Sequence, residues 1–263
     1  MDIRSENGIA LMVAMMAMLL MSALGAALVL TTSSETIIAA NFRSSGEGLY
    51  AADAALERIV GDLLSVPDWD PLLGGAVQSA FIDGSPSGSR TLSDGSTIDL
   101  TRVLAMVNCR KITPCTDSEM DQVTHERPWG RNSPRWRLFG YGHLSDLMPT
   151  ASVSSPYYVV VMVGDDASEL DSDATRDGIT PCAGAVPVKG PVEPPAWSCN
   201  PGTGVLAVRA EAFGPGGTHK VIEMTVARTP MAGGQNSVAG DPQDYNNSSG
   251  QAVIRILSWR EEK

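Results

Sequence analysis

Basic side chains are scarce in this chain. Lys and Arg total 19 against 30 Asp and Glu, a formal net charge of −11. A chain so acidic repels phosphate backbones and offers no broad basic face to nucleic acid, so no nucleic-acid partner is expected. Histidine is rarer still: His125, His143 and His219 lie far apart and form no HExxH-type spacing. There is no GxSxG elbow, no phosphate-binding GxxxxGK loop and no GxGxxG fingerprint. Nothing in the sequence asks for catalysis, and the chain reads as a non-enzyme. Aromatics make up only 5% of residues, whereas Gly (26) and Pro (17) are plentiful. That balance suggests strands and long loops more than a helical bundle.

Charge is wholly missing from residues 9–30, IALMVAMMAMLLMSALGAALVL. At about 1.5 Å per residue, a helix of this length spans a hydrocarbon core of about 30 Å. A removable signal peptide is the first alternative, with Ala23, Gly25, Ala26 and Ala27 as its small-residue cleavage region. A signal's apolar region is shorter, about 7–15 residues, and its front is basic. Here the front is mixed, with Asp2 and Glu6 beside Arg4. A membrane-retained helix is the reading the run supports better. Arg4 and the α-amino group give weak support to a cytoplasmic N-terminus.

Helical character continues past the apolar run. Leu49, Ala52, Leu56, Ile59 and Leu63 recur at spacings of three and four and mark one apolar face. Gly46 and Gly48 interrupt the pattern, each weakening a helix by about 1 kcal/mol relative to Ala. Pro67 ends it. The expected organisation is 9–30 as a transmembrane helix, 31–66 as the continuing amphipathic half and 67–263 as a β-rich head; that 1–8 form a leader is implied only by the resemblance described next.

The N-terminal region resembles the PilX family of type IV pilus minor pilins. The resemblance rests on Glu6-Asn7-Gly8 followed at once by Ile9-Ala10-Leu11, on the uncharged run, on TSSETIIAAN at 32–41, and on YAADAALE at 50–57. It covers roughly residues 6–60. At the far end, AVIRILSWRE at 252–261 is similar to the closing strand of PilX-like chains. The resemblance implies removal of the leader by prepilin peptidase between Gly8 and Ile9, with methylation of the new terminus. It implies a single-pass protein of the bacterial inner membrane with its head in the periplasm, carried to the pilus or cell surface on assembly. The implied partners are other minor and major pilins and the assembly machinery. Major pilins carry Glu at the fifth mature position; here that position is Val13. The departure argues against a bulk filament subunit and fits one with no neighbour ahead of it. A minor pseudopilin of a type II secretion system, or a signal-anchored periplasmic binding domain or enzyme, are the alternative readings.

The rest of the chain reads as strands. Residues 92–104 alternate as a hairpin about Asp94-Gly95. Residues 135–142 form a short strand, and the apolar run at 157–163 a central one. Residues 205–213 and 220–228 form the clearest hairpin, about Gly214-Pro215-Gly216-Gly217, and 253–259 close the sheet. Residues 229–250 form an exposed loop. The expected class is α+β: a long pilin-type helix on a mostly antiparallel sheet with long loops.

Two sets of residues invite chemistry. Cys109, Cys115, Cys182 and Cys199 lie beyond the membrane segment, in an oxidising compartment for this topology. Four Cys allow three pairings; the local one joins Cys109 to Cys115 and Cys182 to Cys199. Zinc is the rival, but no CxxC occurs and no His lies close to either pair. The stretch 165–177 carries Asp165, Asp166, Asp171, Asp173 and Asp177, oxygen ligands suited to calcium, without matching an EF-hand. The alternative is a solvated acidic loop.

Replacing Gly8 with Leu is expected to leave the leader attached, because a side chain there obstructs a peptidase cutting at the membrane face. Intact mass of the membrane-extracted variant reads this directly. Normal maturation to Ile9 in the variant removes the main support for the pilin reading.

Overall fold

The computed structural model describes residues 4–125, 127–147, 154–168, 173–177, 204–229 and 253–262. One helix, α1, runs Arg4–Leu64 without a break. The chain divides into two compact units, Met1–Gly46 and Glu47–Lys263. Among the described residues the first is helix alone. The second, the head, begins within α1 and holds every other element.

Within the head, α1 contributes the stripe read from the sequence. Ala51, Ala52, Ala55, Leu56, Ile59 and Leu63 are buried, and Leu49 packs against them partly exposed. Three alanines bring backbone close to the layer beneath. Gly48 belongs to the same logic: a β-carbon there would sit 3.1 Å from Lys220 and 3.3 Å from both Thr218 and Tyr157. The glycine that weakens the helix locally therefore permits a close approach. After Leu64 the chain turns. The Trp69 indole N–H donates to the Leu63 carbonyl at 3.4 Å, and the Arg228 guanidinium stacks 4.0 Å over the Trp69 ring. Arg228 also donates to the carbonyls of Val66 and Pro67, which ties β6 to the turn that follows α1.

The layer beneath is a five-stranded antiparallel sheet in sequence order: β3 (Arg137–His143), β4 (Tyr158–Asp165), β5 (Val205–Phe213), β6 (His219–Thr229) and β7 (Val253–Glu262). β4 explains its own composition. Val159, Val161 and Val163 face α1, while Tyr158, Val160 and Met162 enter a second core on the opposite side. A strand covered on both faces reads as a continuous apolar run. Gly140 on β3 is demanded by packing, since a β-carbon would come within 2.7 Å of Ile59 and 3.3 Å of the Phe81 carbonyl.

The second core is closed by a small hairpin and a helix. β1 (Ser89–Thr91) and β2 (Thr97–Asp99) pair antiparallel, and α3 (Leu100–Cys109) follows at once. The turn falls at Asp94-Gly95 as expected, with Gly95 at φ 82°. The extent of the hairpin is corrected: residues 100–104 are helix, not strand. Asp99 caps α3 by accepting from the Arg102 N–H at 3.0 Å. Leu100, Val103, Leu104 and Val107 then recur at helical spacing against the sheet. Short alternation in 92–104 is compatible with either period, and the cap with the longer stripe decides it. α3 ends at Arg110, the single non-glycine residue with positive φ (55°) among those described. Two short helices, α2 (Asp70–Leu73) and α4 (Asp117–Met120), complete the head. Most of the loop expected at 229–250 lies outside the described residues.

The sheet's two edges differ. Along β3, Ser79 and Asp83 donate to the carbonyls of Phe139 and Tyr141, and Tyr141 donates to Phe81, so a passing segment covers that edge. β7 forms the other edge and carries Arg255, Arg260, Glu261 and Glu262, with a register shift opposite Thr225/Val226. Charge and bulging are both devices that discourage stray strand pairing.

One ionic row crosses the head, running from the buried Glu211 to the exposed Arg260. Arg209 on β5, Glu223 on β6 and Arg260 on β7 stand directly opposite one another in register. Arg209 donates to Glu211 (2.7 Å), Glu223 (2.5 Å) and Glu262 (2.5 Å), and Arg260 to Glu223 and Glu262. His219, stacked on Phe213 at 4.5 Å, meets the other Glu211 oxygen at 2.8 Å. Burial pushes the Glu211 carboxyl up, but His219 and the Arg209 guanidinium outweigh it and hold it below its ordinary value of 4.5. The folded state therefore binds fewer protons here than the unfolded chain, and the stabilisation is lost as pH falls through the folded-state value. Glu211→Gln is expected to cost about 1–3 kcal/mol near neutral pH. Urea melts near pH 7 and near pH 3 should show the gap between wild type and variant shrinking at the acid end. A gap independent of pH contradicts an ionised Glu211.

Candidate functional site

The feature most at odds with an ordinary soluble domain is the first helical unit. Its large apolar side chains from Ile9 to Leu30 are each 60–74% exposed. Mean hydropathy over an 18-residue window reaches 2.4, and none of that window is buried. Residues 7–34 contain no Asp, Glu, Lys or Arg. Helical geometry satisfies the backbone internally, as a lipid environment requires.

The polar residues that follow are also satisfied. The Thr31 hydroxyl donates to the carbonyls of Ala27 (3.2 Å) and Leu28 (2.9 Å), and Thr32 to Leu28 at 2.9 Å. Ser34 donates to Leu30 at 3.0 Å and Thr36 to Thr32 at 2.9 Å. Four hydroxyls turned back onto their own helix can enter lipid or a helix–helix contact without an unmet donor. Gly8 and Gly25 meet nothing: a β-carbon on either would have no heavy atom within 4 Å. The chain's own packing thus gives no reason for these glycines.

Residues 7–57 match the family model described as PilX N-terminal. The chain carries a PilX N-terminal domain. That match supports a minor-pilin role in pilus assembly and implies association with other pilins and the assembly machinery. No curated protein and no solved structure matches the chain. The PilX-matched segment begins one residue before Gly8, spans the whole apolar run with Val13 inside it, and reaches into the head helix as far as Glu57. The long apolar helix is consistent with a membrane-anchoring segment.

Of the four cysteines of this PilX-domain chain, Cys109 and Cys115 are bonded, with Cα atoms 6.2 Å apart. The bridge closes a six-residue step from the end of α3 to the capping box of α4, where Thr116 accepts from the Glu119 N–H and Glu119 from the Thr116 N–H. The expected partners Cys182 and Cys199 lie outside the described residues, as does Asp171.

The other acidic residues fall after β4 with separate contacts. Asp165 ends the strand and is buried. Asp166 accepts from Ser168 N–H (3.2 Å) and hydroxyl (2.9 Å). Asp173 accepts from the Thr175 hydroxyl (2.6 Å) and N–H (3.1 Å), which holds its carboxyl below the ordinary range. Both Asp177 oxygens accept from the Gly204 N–H, at 2.8 and 2.9 Å. Among the described residues, no three His, Cys, Asp or Glu side chains are grouped to hold a metal ion.

A cavity of about 550 Å³ opens between the C-terminal end of α3 and the sheet. Its cations are Arg110, Lys111, Arg127, Arg209 and Arg260, and its carboxylates Glu119, Glu223 and Glu262. Arg127 is committed to the carbonyls of Met120, Asn108, Ser133 and Pro134, which tie the surrounding loops together. Arg209 and Arg260 belong to the ionic row. Lys111 pairs with Glu119 and holds its carboxyl down at about 2. Met106 and Trp129 line the mouth, and Trp129 is 55% exposed. Sequence reading missed this arrangement. The α4 capping box (TDSE at 116–119) was a legible signal, whereas the row Arg209–Glu223–Arg260 appears only once strand register is fixed.

Proposed function

We propose that this chain is a minor pilin that primes or joins a type IV pilus through packing of its apolar helix with the helices of other minor and major pilins. The observation that carries the proposal is a wholly exposed, uncharged helical run directly after Gly8, inside the PilX match over residues 7–57. Prepilin peptidase acts between Gly8 and Ile9. The chain waits in the inner membrane with its head in the periplasm, and assembly carries it into the pilus or to the cell surface. Ala14, Ala17, Gly25 and Ala26 supply the small side chains that let helices approach closely in lipid. Val13 in place of a carboxylate avoids the cost of a buried charge with no neighbour to meet it.

A carboxylate in the middle of the run tests this. Ala17→Asp adds about 2.5–3.5 kcal/mol to membrane insertion and leaves the head untouched. Electron microscopy of the bacterium carrying the variant should show few or no pili, while the variant's head melts as wild type. Pili in normal number would contradict assembly through this helix.

Calcium at Asp165, Asp166, Asp171, Asp173 and Asp177 is part of the same proposal. It is supported by the density of oxygen ligands in the sequence and by the absence of His or Cys within 165–177. Calcium should raise the melting temperature of the full chain in detergent relative to chelator, and Asp173→Ala should abolish the shift. Identical melting in both buffers leaves a solvated acidic loop.

A further inference from the structure

The two edges of the five-stranded sheet are finished differently. The outer edge of β3 is hydrogen-bonded to the segment around Ser79, Phe81 and Asp83, whereas no described residue pairs with the outer edge of β7. Ten residues of β7 therefore present main-chain N–H and C=O groups with no strand beside them. The guards of this edge are gathered at one end. Leu257 is the extra residue of the bulge, between Ile256 opposite Val226 and Ser258 opposite Thr225. Arg260, Glu261 and Glu262 lie beyond it, and each is engaged within the head, by Glu223, Lys220 and Arg209 in turn.

The stretch before and around the bulge has the opposite character. Ile256, Leu257 and Trp259 are 56%, 58% and 47% exposed. Register sets Ile256 and Trp259 opposite Val226 and Met224, on the face of the sheet that α1 covers. Val226 and Met224 are buried, so the cover ends at β6 and leaves an apolar shelf along β7. Arg255 stands opposite Ala227, on the other face. It is exposed and makes no hydrogen bond or ion pair among the described residues.

We propose that the edge of β7 over residues 254–259 receives an extended segment of a different protein as a sixth strand of the sheet. The main-chain groups of the edge supply the hydrogen bonds. Apolar side chains of the incoming strand lie on Ile256 and Trp259, and a carboxylate on its other face meets Arg255. A strand presents such a pattern through its period of two. A second copy of this chain fits less well. Its β3 edge is already covered, the carboxylates of its own β7 are engaged, and two chains of formal charge −11 repel each other. The site lies wholly in the head and is independent of assembly through the apolar helix.

The test uses the full chain in detergent and a short fluorescein-labelled peptide in which Val alternates with Thr and one central Thr is replaced by Glu. Fluorescence anisotropy should show saturable binding. Two N-methylated forms of the peptide, one modified at every Val and one at every Thr, separate the edges of the incoming strand, because the N–H groups of alternate residues point to opposite sides. One form should bind at least about tenfold more weakly and the other close to the parent. Exchanging the Glu of the peptide for Lys should weaken binding about threefold or more, and Arg255→Glu should reverse that preference. Arg255→Glu should melt at the wild-type temperature, since its side chain has no partner in the head to lose. Ile256→Thr should weaken binding of the Glu peptide. Equal losses or no loss in the two N-methylated forms would overturn strand pairing, and an unchanged charge preference in Arg255→Glu would overturn its placement on β7. Sedimentation showing a wild-type dimer that the peptide disperses would overturn the proposal by naming a second copy as the occupant.

Discussion

The head depends on one stripe of α1. Ala51, Ala52, Ala55, Leu56, Ile59 and Leu63 lie against the valines of β4 and the alternating apolar residues of β5 and β6. Several choices elsewhere follow from that contact. Gly140 is needed because Ile59 reaches the β3 backbone, and Gly48 because Lys220, Thr218 and Tyr157 crowd the helix. Trp69 and Arg228 fix where the helix stops. A truncation such as Leu56→Ala would remove contacts from the centre of this layer, a class of change that costs about 2–5 kcal/mol.

The opposite face of the sheet is used differently. Its apolar half is covered by α3 and the β1–β2 hairpin, and its polar half carries the Arg209–Glu223–Arg260 row. Arg260 at its outer end is exposed, whereas Glu211 at its inner end is buried and is the member costly to leave unpaired. Here the row floors a cavity whose rim is formed by the end of α3, the Cys109–Cys115 bridge and Trp129. The first helical unit has the reverse character: its large apolar side chains from Ile9 to Leu30 are exposed, and the hydroxyls of Thr31, Thr32, Ser34 and Thr36 bond to its own backbone.

Much of this was legible in the sequence, for identifiable reasons. The 3–4 spacing from Leu49 to Leu63 and the stop at Pro67 fixed the head portion of α1. Gly214-Pro215-Gly216-Gly217 between alternating runs placed the β5–β6 hairpin within a residue at each end, and the unbroken apolar run at 157–163 marked a central strand. The PilX resemblance at 6–60 agrees with the match at 7–57. What escaped has physical causes as well. Alternation near Asp94-Gly95 is too short to separate a second strand from the first turn of α3. The ionic row depends on register across three strands, and the left-handed arginine on a backbone angle that composition does not show.

The claim on which function rests is that the apolar helix is a processed pilin terminus and not a removed signal. The most direct measurement is the intact mass of the native protein extracted from membranes. A chain beginning at Ile9, eight residues shorter than the translated sequence and heavier by one methyl group, is the predicted result. A chain beginning after about Ala27, at the small-residue cleavage region of an ordinary signal, would contradict it.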